Sequence, residues 1–134
     1  LEEFLQYYAQ RMNQMQEPFI TAVFTASSHH PFRVPERYEG FFPQGDNPIH
    51  PCVGYTDHAL RKFFAYAQQQ AWYENTLFVI TADHTNQVTL PEYATAKGLF
   101  EVPIAFYSPN GAKGNCASMG QSAKQISCHP YWHT

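Results

Sequence analysis

The first apolar positions recur at helical spacing. Phe4, Leu5, Tyr8, Met12 and Met15 fall on one face of a helix over about residues 2–16, and Pro18 ends it. Residues 19–26 form a run of apolar, β-branched and aromatic side chains, the pattern of a buried strand. A polar loop follows directly, Ser27-Ser28-His29-His30-Pro31. Residues 31–54 carry Pro31, Pro35, Pro43, Pro48 and Pro51 together with Gly40, Gly45 and Gly54, which predicts a long irregular loop. A second helix is expected over about residues 56–72, with Thr56 as N-cap, Asp57 in its first turn and Leu60, Phe63, Phe64, Ala67 and Ala71 facing inward. Residues 77–82 read as a short apolar strand that stops at Asp83-His84-Thr85-Asn86. A short helix near residues 91–97 and a third strand over about 102–107 complete the pattern, and Pro109-Asn110-Gly111 breaks the last strand.

Continuous apolar strands separated by helices predict an α/β fold, a mainly parallel sheet flanked by helices. In such sheets ligands bind beyond the carboxyl ends of the strands. The loop holding His29 and the loop holding Asp83 and His84 both follow strands directly, so one shared edge is expected for them.

Composition narrows the function classes. The chain has 134 residues, 44% hydrophobic and 16% aromatic, enough apolar material for a folded core rather than a disordered segment. Net charge is −3, and the eight Lys and Arg form no basic block, which disfavours nucleic-acid binding through a charged stripe. Cys52, Cys116 and Cys128 form no CxxC pair and allow at most one disulfide. No apolar run approaches the ~20 residues of a membrane span. The chain opens on Leu1 directly in a helical pattern and reads as a truncated piece, so any targeting segment would lie upstream.

A carboxylate and an imidazole where a strand gives way to a loop can reach one cation, and oxygen and nitrogen donors suit zinc, manganese and similar ions. The same two residues also fit a surface turn closed by an Asx-type hydrogen bond, and the residues alone leave both readings open. His29 and His30 can bind an anion or donate a proton to a leaving group, or simply be solvated before Pro31. His50 lies in the Pro-rich loop and His58 in the first turn of the second helix, where an exposed side chain is the simplest reading. His129 and His133 flank Pro130 with no acidic neighbour and carry no site role. Ser27, Ser28 and Thr85 lie in no G-x-S-x-G elbow, and there is no Gly-rich phosphate loop.

Four stretches in this order resemble one family. "FITAVFTASSHHPF" over residues 19–32 resembles a strand followed by a His-x-Pro-Phe loop, and "YTDHALRKFF" over 55–64 a Tyr-x-Asp helix start. "NTLFVITADHT" over 75–85 resembles the strand that delivers an Asp-His metal pair, and "VPIAFYSP" over 102–109 the strand after it. Together they resemble the C-terminal half of the sulfatase-like branch of the alkaline phosphatase superfamily, nearest the lipoteichoic acid synthase and phosphoglycerol transferase group. The likeness covers about residues 18–110.

The resemblance implies that the chain is the C-terminal portion of such a catalytic domain, with residues 111–134 an atypical tail. It implies a divalent metal, manganese or zinc with calcium as a further option, held by Asp83 and His84. It matches His29 to a substrate-binding histidine and gives His30 no role. The implied reaction is phosphoryl-ester transfer or hydrolysis, through a nucleophile and an acidic ligand that lie upstream. A sulfatase acting on sulfated glycans and a non-catalytic binding or structural module are the alternatives. The implied substrate is an anionic phosphate or sulfate ester, with no nucleic-acid partner. The implied setting is extracytoplasmic, in a parent protein anchored to the bacterial membrane by an N-terminal region. Two departures stand out. Cys128-His129-Pro130-Tyr131-Trp132 has Trp where a sulfatase cysteine motif needs Arg, and Ser127 replaces the Asp of a Gln-x-Asp-x-x-Pro helix entry.

Overall fold

The computed structural model describes residues 1–110, and these form two compact units that divide after Ala71. The expectations placed on residues 111–134, including Cys116, Cys128, His129 and His133, lie outside the described residues.

The first unit is built on two helices, α1 (Glu2–Met12) and α2 (His50–Ala67), which pack on each other. Leu5, Ala9 and Met12 of α1 are buried, as are Cys52, Tyr55, Ala59, Phe63, Phe64 and Ala67 of α2. Alanines at 9, 59 and 67 let the backbones approach, and Phe63 fills the seam, stacking on Tyr8 at 6.2 Å and meeting Phe64 edge-on at 5.2 Å. α1 has no side-chain cap of its own. The buried Tyr55 hydroxyl accepts the Glu2 N–H at 3.3 Å, so α2 supplies a partner for one of the orphan donors at the start of α1.

α2 starts earlier than the pattern predicts. Pro51 reads as a loop residue in the sequence, yet it sits in the first turn of the helix, where proline's fixed φ is pre-organised and its missing N–H costs nothing. Asn47 leads in, its carbonyl accepting the His50 N–H and its side chain accepting the Ile49 N–H at 3.2 Å. Thr56 is therefore no N-cap. It lies mid-helix and its hydroxyl donates to the Cys52 carbonyl at 2.9 Å. Phe42 folds back over the helix, and a Cβ on Gly54 would stand 3.1 Å from its side chain.

Residues 19–26 form no ladder among the described residues. They keep the alternation of an extended strand, with Phe19, Thr21 and Val23 half-buried and Ile20 99% exposed. The Tyr8 hydroxyl reaches Thr21 at 3.2 Å.

The second unit contains β1 (Phe78–Thr81) and β2 (Ile104–Tyr107), each inside its expected span. They pair antiparallel in the register Phe78↔Tyr107 to Thr81↔Ile104. This pair is antiparallel, and the two strands among the described residues are too few to make up the mainly parallel sheet that the pattern predicts. Parallel neighbours need a crossover that returns the chain to the opposite edge of the sheet. Here the connection 82–103 leaves and re-enters at one edge, with the 3-10 turns Pro91–Tyr93 and Gly98–Phe100 in place of the expected short helix. Trp72 and Tyr73 are buried, Phe78 stacks on Tyr107 at 5.9 Å, and the Tyr73 and Tyr107 hydroxyls are 2.7 Å apart. Among the described residues no helix is long and apolar enough to cross a membrane.

Candidate metal centre

Asp83 and His84 lie two and three residues beyond the end of β1, at the start of the connection that leaves the sheet edge. The base of that connection is closed by the Thr81 hydroxyl, which contacts the Pro103 carbonyl at 3.2 Å. Farther out, the Thr85 N–H donates to the Leu99 carbonyl at 2.8 Å. The ligand-type residues therefore sit in a loop pinned on both sides of the pair.

Each side chain uses one atom for the backbone and turns the other toward its neighbour. Asp83 Oδ1 accepts the His84 N–H at 2.9 Å. His84 Nδ1 stands 2.7 Å from the Thr85 carbonyl, which can only accept, so Nδ1 carries the proton and Nε2 keeps its lone pair in the neutral ring. The two remaining atoms, Asp83 Oδ2 and His84 Nε2, are 3.4 Å apart, on side chains about half exposed. Two donors each bonded to a tetrahedral zinc at about 2.0–2.2 Å stand about 3.3–3.5 Å apart. The spacing is that of two ligands on one divalent ion, and also that of an ion pair when the ring is protonated. The Asx-type turn and the metal pair are not rivals, because the carboxylate has an oxygen for each. Among the described residues no third His, Cys, Asp or Glu joins the pair.

Thr85 continues from the pair into an open hollow of about 170 Å³ that it lines with Gln87, Val88, Thr89, Leu90, Tyr93 and Glu101. Its hydroxyl oxygen is enclosed without a hydrogen-bond partner among the described residues.

His29 and His30 belong to the first unit. His29 is exposed, in a turn closed by its N–H to the Ala26 carbonyl and by the Phe32 N–H to its own carbonyl, each at 3.1 Å. Its Nδ1 lies 2.9 Å from the His30 carbonyl. Phe32 takes φ +56, an uncommon choice for a bulky residue, and meets the His30 ring edge-on at 5.2 Å.

His58 is half-buried rather than exposed. Its Nε2 is 3.1 Å from the Tyr38 hydroxyl, and Tyr38, Phe41 and Phe42 surround the ring. Tyr38 also donates to Glu2, which pairs with Lys62 and, at 3.2 Å, with Arg37. The Lys62 ammonium, then the Tyr38 hydroxyl and Arg37, hold the Glu2 carboxyl down to about 2. Nothing in the apolar periodicity announces this network, because its members are spread over three segments of the chain. His50 is exposed and lies so close over Gly45 that a Cβ there would meet its ring at 1.6 Å. Cys52 is buried, and burial raises its thiol pKa.

The sequence model of the sulfatase family matches residues 1–133. Over 88 residues the chain is 30% identical to the lipoteichoic acid synthase-like protein YvgJ of Bacillus subtilis (strain 168), a stretch that covers 62% of this chain and 14% of that relative. The chain thus spans about a seventh of the length of this curated relative. No solved structure matches the chain. A match across nearly every residue settles the family: the chain belongs to the sulfatases, in the sulfatase-like branch of the alkaline phosphatase superfamily, and its fold class is α/β.

Proposed function

We propose that this chain is the C-terminal part of an extracytoplasmic catalytic domain that transfers or hydrolyses phosphate esters, with Asp83 and His84 as ligands of a divalent ion. The observation that carries the reading is the 3.4 Å separation of Asp83 Oδ2 and His84 Nε2, with the other polar atom of each side chain tied to backbone. Manganese or zinc, with calcium as a third option, would supply positive charge against the anionic ester oxygens when bound. By the family resemblance His29 is the residue that would hold the substrate's anionic group or protonate the leaving oxygen in the parent protein. The hollow beside Thr85 takes the alcohol portion of the ester. The Thr85 hydroxyl, without a hydrogen-bond partner among the described residues, favours a hydroxyl-bearing group there.

The nucleophile and the further acidic ligand belong to upstream residues of the parent protein, as does the membrane anchor. Residues 19–26 would then be a strand of a larger, mainly parallel sheet that covers Ile20 and Phe24. Similarity to a lipoteichoic acid synthase-like protein supports phosphate esters over sulfate esters. Membership of the sulfatases supports the second reading, a sulfuric ester hydrolase acting on sulfated glycans. Turnover of an aryl phosphate and an aryl sulfate by the parent protein, with its metal content, separates the two. Phosphate turnover that is lost in Asp83→Asn and His84→Gln is the expected result. Metal-free protein with neither activity would leave a binding module instead. Alone, this chain should be inert and hold metal weakly, because catalytic zinc sites use three protein ligands.

A further inference from the structure

We propose that Thr95 and Gly98 are positioning residues for the ligand His84, acting through the Leu99 carbonyl and the backbone of Thr85. The proposal rests on the metal reading of the Asp83–His84 pair. Both side chains are about half exposed, so packing does not fix them. What orients the His84 ring is the Thr85 carbonyl at 2.7 Å. What fixes that residue in turn is its N–H on the Leu99 carbonyl at 2.8 Å, the bond that ties the outgoing arm of the loop to the returning one.

Leu99 owes its place to two neighbours. Thr95 holds the turn twice, its carbonyl accepting the Leu99 N–H at 3.0 Å and its hydroxyl accepting the Gly98 N–H at 2.9 Å. Gly98 is buried against the preceding turn, where an added Cβ would stand 2.5 Å from the Tyr93 Cα and 2.8 Å from the Glu92 carbonyl oxygen. Those atoms are backbone and cannot swing aside, so any side chain at 98 drives the two turns apart. The Leu99 carbonyl moves with its turn, and the Thr85 backbone and the His84 ring follow. Metal bonds tolerate errors of about 0.2 Å, so a shift of this kind is felt at the ion.

The test uses the full-length protein with Gly98→Ala, Thr95→Val and Thr95→Ser. Three quantities are read for each: amide exchange at Thr85, the dissociation constant for manganese or zinc, and the melting temperature. Thr95→Val, which keeps the shape and loses the acceptor, should speed Thr85 exchange and weaken metal binding about tenfold, the lower end of what outer-shell partners contribute. Thr95→Ser, which keeps the acceptor, should restore both, and Gly98→Ala should exceed the Val variant. Wild-type binding that is lost in Asp83→Asn but unmoved in the Val variant would overturn the positioning role alone. So would equal losses in the Val and Ser variants that merely track melting temperature. Wild-type protein that binds no metal through Asp83 would overturn the metal reading, and the positioning of a ligand with it.

Discussion

In the helical unit the rings of α2 are buried, and in the strand unit two of the apolar side chains of β1 are exposed. Phe63, Phe64 and Tyr55 of α2 are buried against α1 and the loop before α2. In β1, Val79 is 52% exposed and Ile80 39% exposed, although both belong to the most apolar run of the chain. A helix pair can bury a stripe from each member and still face water on its other sides. A strand that is apolar on both faces needs a layer over each, and among the described residues two strands with one connection supply neither. The unit that buries its helix faces is therefore not the one that carries the candidate metal ligands.

The largest expected contrast comes from truncating a buried ring and an exposed strand residue. Phe63→Ala should lower the stability of this chain by about 3–5 kcal/mol, read by denaturant unfolding. Val79→Ser should change it by no more than about 0.5 kcal/mol. If the Val79 substitution proves as costly as the Phe63 one, the strand face is covered and the contrast fails.

A pH series sharpens the helical side. The Glu2 carboxyl drops from 4.5 to about 2 on folding, so its contribution is fully present above about pH 4.5 and is lost as pH falls through about 2. At 1.36 kcal/mol per unit, and reduced for solvent screening of a surface network, this amounts to about 1–2 kcal/mol. Glu2→Gln should flatten the loss of stability across that window. An unchanged acid limb would show that the pairings with Lys62, Tyr38 and Arg37 contribute nothing. Tyr55→Phe should cost about 1 kcal/mol, since the Glu2 N–H loses its acceptor. No loss would mean that water serves that donor equally well.

The sequence carried much of this. Phe63, Phe64 and Ala67 were legible as one helix face, and β1 and β2 lie within a few residues of their expected ends. Helix starts were harder, because Pro51 looks the same in a loop and in a first helical turn. The partner of a strand was not legible at all. The apolar run over residues 102–107 does not say which way it pairs, and antiparallel pairing is what brings both ends of the 82–103 connection to one edge. At the site, Asp83 and His84 stand out by residue type and place. Thr95, Gly98 and Leu99 act through backbone and one hydroxyl, and only the lone glycine between Lys97 and Leu99 hints at a close approach.

The most direct measurement is a manganese or zinc titration of the parent protein beside Asp83→Asn and His84→Gln. Each substitution removes one of the two atoms that stand 3.4 Å apart. The account predicts that each variant keeps its fold and loses metal affinity by at least the 10–100-fold seen for outer-shell changes. Folded variants that bind the ion as tightly as the wild type would contradict it.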